Sequence, residues 1–447
     1  MSLRRLGPLL GAGAGASLLY LLTLGHTQGA DALAYTDLSV LGHPHPQHLL
    51  HHALGWLALQ PLSALAPQVQ PLLWLSGLNA LCGGLGIALA GALARRAGAA
   101  AGLTAAAMAL LATSYGWWSL STTAEVHALP VALQLAAVLA LTGPALTAPT
   151  RTGGVAAAAR PAWSGALHAL AVLLHKTMVL GLPSLLLGAS LAGWRQARAL
   201  LLVAALGIGL PYGAVMARSM QRGDAWHGAA TAWLLGEVAH FVPGAPPHLP
   251  WRVAASSGLA GSWVYNNPPR CGFRLGWSGE PLPFPGSSRL PWKLTQLGGL
   301  LGAGLALVGA AALARRDRAL GLALIGWPLL SVATAFWFEP ANYEYYLGAL
   351  TCAVILAAVG ASSLAERSPW PRPTRMLLGV AGLLTALLVG AHNLEVDLGP
   401  AMQPADGIQP CHAQAGPPQA PPPPVPAPRE APDPVDGYQR RRTPESR

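Results

Sequence analysis

Charge is scarce in this sequence of 447 residues. Asp, Glu, Lys and Arg make up 10% of it, and only 17 residues are acidic, where an ordinary soluble domain carries about a quarter charged residues. That scarcity excludes a conventional soluble protein. What fills the space is apolar: 53% of the residues are hydrophobic, and they come in blocks of about 20, long enough to cross a hydrocarbon core of about 30 Å. The blocks also lack the charged faces that the apolar helices of an α/β enzyme would show. An all-α polytopic membrane protein remains.

Other absences narrow the function. The net charge is +10, yet Lys and Arg form no stripe interleaved with aromatics, so nucleic acid is not an expected partner. They sit in short clusters between apolar blocks, as membrane topology requires. The basic N-terminus MSLRRLGPLL lacks a clean A-x-A cleavage site before His26 and reads as an uncleaved first helix. No internal or inverted repeat argues for a transporter. Cysteine is limited to four residues. Cys82 and Cys352 fall inside predicted helices as small apolar residues. Cys271 and Cys411 fall on the outer face, where they either pair or stay as two free thiols.

Eleven spans are predicted, at about 6–25, 71–94, 99–115, 128–147, 161–175, 178–194, 199–217, 294–314, 319–337, 346–364 and 376–394. The short Arg-rich loops then share one side, which places the N-terminus in the cytoplasm and the C-terminus outside. Four regions follow: a transmembrane core over 1–217 with a first external loop at 26–70, an external loop at 218–293, transmembrane helices over 294–394, and a Pro-rich tail over 395–447 expected to be disordered.

With so few acids, their positions inform. Asp31, Asp37, Glu125, Glu339 and Glu344 all fall on the outer face or its membrane boundary, where ionisable groups are functional candidates. Asp31 also suits a helix N-cap, and Asp37 is expected about two turns later on roughly the same face. Glu125 and His127 follow Trp117 and Trp118, which suit a membrane interface; a solvated loop charge is the plainer account of Glu125. His175 and Lys176 interrupt an apolar run, either as a turn or as an anion site. The stretch GHPHPQHLLHH carries His43, His45, His48, His51 and His52. The last three share a helix face and form a weak alternative zinc or copper site, without an HExxH motif or a carboxylate in the run. A surface helix tolerant of histidine explains them equally simply. A transporter or metal-handling protein using segment 43–52 is the rival reading.

Several of these segments, in order, resemble one family. GHPHPQHLLHHALGWL, SGLNAL and WWSLSTTAEVHALPVALQLAAVLAL stand where the protein O-mannosyltransferase-like branch of the GT-C membrane glycosyltransferases, including bacterial members of unassigned function, has its acidic loop and H-P-x-G-x-P-L, R-x-N-L-x-S-A-like and W-x-x-x-x-x-x-E-V-Y-x-L segments. The likeness covers residues 1–190 and, more loosely, YNNPP and NYEYYLGAL. It implies transfer of a sugar from a polyprenyl-phosphate donor to a protein, glycan or lipid acceptor at the outer face of a bacterial inner membrane. Position by position, the resemblance makes Asp31 the acceptor-side base with Asp37 as alternative, and sets Glu125 beside it. His127 stands for the usual Tyr, His43 and His45 shape the pocket, and His175 and Lys176 face the phosphate. Glu339 and Tyr343 join the substrate-binding set, and a divalent metal is a possible cofactor.

Overall fold

The computed structural model describes residues 3–25, 30–43, 45, 47–143, 155–221, 289–338, 343–367 and 372–393. The expected external loop at 218–293 (from 222 to 288), the tail from 395, Glu339, Cys271 and Cys411 lie outside the described residues. Every described element is a helix.

The N-terminal half comprises α1 (Leu3–Leu22), α2 (Ala30–Leu41), α3 (His51–Leu65), α4 (Pro71–Arg96), α5 (Ala101–Thr113), α6 (Tyr115–Thr122), α7 (Ala128–Leu141) and α8 (Val155–Leu174). A 3-10 turn, Lys176–Gly181, leads into α9 (Leu182–Ala192) and α10 (Trp194–Gln221). The C-terminal half contains α11 (Arg289–Arg316), α12 (Arg318–Phe338), a second 3-10 turn (Tyr343–Tyr346), α13 (Leu347–Arg367) and α14 (Arg372–Asn393). Among the described residues, five helices are long and apolar enough to cross a membrane, and shorter apolar helices pack beside them. This is a multi-pass membrane protein.

Each of the eleven predicted spans coincides with a helix, and local chemistry explains the boundaries. Pro71 opens α4 at its first turn, where its missing N–H costs nothing, and Arg95 and Arg96 close it where cations favour the helix dipole. The third span, 99–115, matches α5, and a separate short helix, α6, follows it. Ser114 is extended, with ψ 143°, and its hydroxyl donates to the Leu111 carbonyl at 2.7 Å, which ends α5 and redirects the chain into α6. The predicted first external loop contains α2 and α3. Along α3, Leu54, Trp56 and Leu57 are exposed while His52 and Leu59 are buried, as in a helix lying at a membrane surface.

α4 is the central post, packed against α1, α5, α6 and α7. Trp117 and Trp118 are not interface residues. Both are buried because α6 turns inward, and their indole N–H groups donate to Thr351 Oγ1 at 2.9 Å and Thr23 Oγ1 at 2.7 Å. At the other end of the post, arginines gather. Arg96 bridges Asp317 at 2.7 Å and the Thr142 carbonyl at 2.7 Å, and Arg316 pairs with Glu366 at 2.8 Å.

Helices cross closely where side chains are absent. A Cβ on Gly360 would fall on the Leu305 carbonyl oxygen, and one on Gly309 on that of Leu356, so α11 and α13 meet backbone to backbone. Gly360→Leu is expected to separate them, at a cost of about 1–3 kcal/mol or more for overpacking. A thermal melt of the detergent-purified protein should show a clearly lower midpoint. An unchanged midpoint would contradict this packing.

Candidate active site

Opposite the arginines, five short segments converge. They are the first turn of α2, the His45–His52 stretch, the loop 123–127 between α6 and α7, the His175–Lys176 junction after α8, and the 3-10 turn holding Glu344.

Backbone chemistry locks the histidine stretch to the end of α8. Leu50 N–H donates to the Leu173 carbonyl at 2.9 Å, and Lys176 N–H to the Gln47 carbonyl at 3.2 Å. His48 Nδ1 lies 3.2 Å from the Leu174 carbonyl. These contacts satisfy carbonyls that a helix end leaves unpaired. A carbonyl only accepts, so His48 carries its proton on Nδ1, and Nε2 is left to accept from the Tyr35 hydroxyl at 3.4 Å. His175 has the other tautomer: its Nδ1 accepts from Thr177 N–H at 3.3 Å, which leaves the proton on Nε2. The His175 ring lies 4.6 Å from that of His127 and 4.8 Å from that of His48.

Asn79, in the SGLNAL segment of α4, sets the 123–127 loop. Its amide donates to the Thr123 carbonyl at 2.8 Å and, very closely, to the Glu125 carbonyl. Glu125 is thereby held buried, at 8% exposure. His127 Nε2 meets Glu344 Oε2 at 3.3 Å. Glu125, His127 and Glu344 each offer one ligand atom, all within 4.8 Å of one another. Burial, then the nearby Glu344 and Asp31 carboxylates, pushes the Glu125 carboxyl well above the ordinary carboxylate range. Three acids in one apolar setting call for a proton or a cation.

The histidines respond oppositely. Burial, then His127, Lys176 and His51, pushes His175 well down. Burial, then the surrounding histidines, does the same to His48. Burial, then His127, lowers His51 to about 4, and burial, then His51 and His45, lowers His52 to about 3. Burial disfavours the charged form of all four rings.

That has a testable sign. Below about pH 6.5 the unfolded chain takes up protons that folded His51 and His52 refuse until about pH 4 and 3, so their contribution to stability falls as pH drops through that window. Glu125 slopes the other way: its raised folded value favours the native state at low pH, and that is lost as pH rises. The melting midpoint should therefore fall less between pH 7 and pH 5 in a His51→Gln/His52→Gln variant than in the wild type. Equal slopes would contradict this effect of burial.

The structure sorts the candidates. Asp31, Glu125, His127, His175 and Lys176 lie together. Asp31 lies inside the first turn of α2, one residue beyond the helix start, so it favours the dipole rather than capping. Asp37 does not share its face. Six residues at about 100° each leave it about 120° away, and it is exposed. His43 is exposed too, whereas His45 stacks on His48 at 5.5 Å. The alternative metal set of His48, His51 and His52 is less regular than one helix face: helix α3 starts only at His51 and both His48 nitrogens have partners, while among the described residues Glu125, His127 and Glu344 gather their ligand atoms. Tyr343 heads the 3-10 turn, and Glu344 beside it enters the site.

No protein-family profile and no curated protein sequence matches the chain. Solved structures do. An archaeal oligosaccharyltransferase from Archaeoglobus fulgidus, solved with an inhibitory peptide and a dolichol-phosphate, aligns at a TM-score of 0.51 and 15% identity, over 88% of this chain and 56% of the other. The complex of the same species' enzyme with Zn and sulfate aligns at 0.50 and 14%, over 86% and 53%. ArnT from Cupriavidus metallidurans, bound to undecaprenyl phosphate, aligns more loosely, at 0.46 and 14% over 89% and 74%. The chain spans about half the length of the oligosaccharyltransferase. The chain thus shares the membrane-helical fold of the archaeal oligosaccharyltransferase.

Proposed function

We propose that this protein is a membrane glycosyltransferase that moves a sugar from a polyprenyl-phosphate donor to an acceptor hydroxyl, nearest the protein O-mannosyltransferase-like branch, at the outer face of a bacterial inner membrane. The observation that carries the reading is the meeting of Asp31, Glu125, His127 and Glu344 at one end of α4, with the Lys176 charge close enough to act on His175. The archaeal enzyme of the same fold was solved with a lipid phosphate, which supports the donor class. The acceptor is a protein, glycan or lipid hydroxyl. The alternative, a transporter or metal-handling protein using segment 43–52, is the weaker reading, since hydrogen bonds engage both His48 nitrogens and His52 Nδ1.

In the transfer, the acceptor oxygen attacks the anomeric carbon, the bond from that carbon to the phosphate oxygen breaks, and the lipid phosphate leaves. Asp31 takes the acceptor proton. Glu125 lies beside Asp31 and holds the acceptor side in place. Lys176 stands against the leaving phosphate, where a fixed cation counters developing charge. His127, held between Glu344 and His175, keeps the two halves of the site in register.

The donor set also fits a divalent cation: two carboxylates favour Mg²⁺ or Mn²⁺, and the imidazole admits Zn²⁺. Glu125, His127 and Glu344 would hold it, supplying positive charge beside the phosphate. The test is reconstitution in nanodiscs with a polyprenyl-phosphate sugar and an envelope extract as acceptor. Release of polyprenyl phosphate with sugar incorporation is expected; no turnover, with or without divalent cations, would sink the proposal.

A further inference from the structure

A second feature lies far from this site. Between α1 and α5, floored by α4, runs a cleft of about 960 Å³ with mostly apolar walls, within the range of lipid- and drug-sized ligand sites. Small residues, Ala12 and Gly15 on α1 and Ala105 and Ala109 on α5, leave the space that larger ones such as Leu19 and Met108 border. Ala12, Gly15 and Ala105 are exposed, so the cleft opens sideways, towards the surrounding lipid. The lining runs along α5 from Ala101 to Thr113, about 18 Å at 1.5 Å per residue, which is close to the depth of one leaflet's share of a hydrocarbon core of about 30 Å.

One end is not apolar. Arg95 and Arg96 close it. Arg96 is occupied by Asp317 and the Thr142 carbonyl. Arg95 is exposed, donates to the Ala99 carbonyl, and has no carboxylate partner among the described residues. A slot the length of one acyl chain, with an uncompensated guanidinium at its mouth, is complementary to an amphiphile with an anionic head. The geometry points to a structural binding site for one anionic phospholipid of the arginine-side leaflet, its acyl chain between α1 and α5 and its phosphate on Arg95. A polyprenyl phosphate fits less well. Its phosphate belongs at the Asp31–Glu125 end, and Asn79, which positions that end, lies about 24 Å along α4 from Arg95. The setting aside of polyprenyl phosphate rests on the proposed transfer, whereas the cleft and Arg95 carry the rest.

The experiment is native mass spectrometry of the full chain released from nanodiscs of equal phosphatidylglycerol and phosphatidylcholine. Wild-type protein should retain phosphatidylglycerol about fivefold over phosphatidylcholine, the preference worth about 1 kcal/mol that one surface arginine provides. Arg95→Ala should erase the preference. Ala105→Trp should remove the retained lipid altogether by filling the slot, while Arg198→Ala, an exposed arginine at the start of α10, should change nothing. Equal retention of both lipids by the wild type would overturn the inference. So would an Arg198→Ala effect as large as that of Arg95→Ala, persistence of the lipid in Ala105→Trp, or displacement of phosphatidylglycerol by added polyprenyl phosphate.

Discussion

Asp31→Asn should reduce sugar transfer by about a hundredfold to ten thousandfold, the range that a positioned general base contributes. The side chain keeps its size and its place in the first turn of α2, so the melting midpoint should hold while turnover collapses. Asp37→Asn is the matched control. It lies on the same helix but is exposed and turned about 120° away, and should leave turnover within about twofold, as surface changes remote from a site usually do. The pair separates a base at Asp31 from a general need for negative charge on α2. Full activity in Asp31→Asn would remove the base assignment, and equal losses in both variants would make it a matter of charge alone.

The second large effect concerns divalent cations. Glu125, His127 and Glu344 bring three ligand atoms within 4.8 Å, and burial with two neighbouring carboxylates holds Glu125 protonated beyond the ordinary range. A cation must compete with that proton, so its apparent affinity should rise with pH. A bound cation beside a leaving phosphate is worth several kcal/mol, or about a thousandfold in rate at 1.36 kcal/mol per factor of ten. Chelation should therefore lower transfer by about that factor, with recovery on adding Mn²⁺ or Mg²⁺. Glu125→Gln and Glu344→Gln should both raise the cation concentration needed for recovery. Chelation without effect on transfer would rule the cation out of the reaction.

Much of this molecule was legible in its sequence because a bilayer leaves few choices. Apolar blocks of about 20 residues have to become helices, and the clusters at Arg95–Arg96 and Arg315–Arg316 mark their ends. The acids and histidines of the site were legible for a related reason: a charge beside an apolar block is costly without a purpose, and Asp31, Glu125, His127, His175 and Lys176 all stand out on that ground. What failed needed three dimensions. Asp37 was placed by counting turns, and six residues make about one and two-thirds turns, not two. Trp117 and Trp118 were assigned to the interface because aromatics gather there, but the break at Ser114 folds α6 into the core. The choice of Glu339 and Tyr343 over Glu344 was open because all three sit in one short connection. The 3-10 turn carries Glu344 to within 3.3 Å of His127, and Glu339 lies outside the described residues. His43, given a place in the pocket by the resemblance alone, is exposed, and the buried packing of the stretch belongs to His48 and His52.

Mass spectrometry of lipids that co-purify with the full chain tests the central claim most directly. If the Asp31–Glu125–His127–Glu344 site takes a lipid-linked sugar, a polyprenyl phosphate or its glycosylated form should be retained by the wild type. It should fall sharply in a Lys176→Ala variant, which removes the cation beside His175. Recovery of bulk phospholipid alone, under conditions that retain polyprenyl phosphates on other proteins, would contradict it.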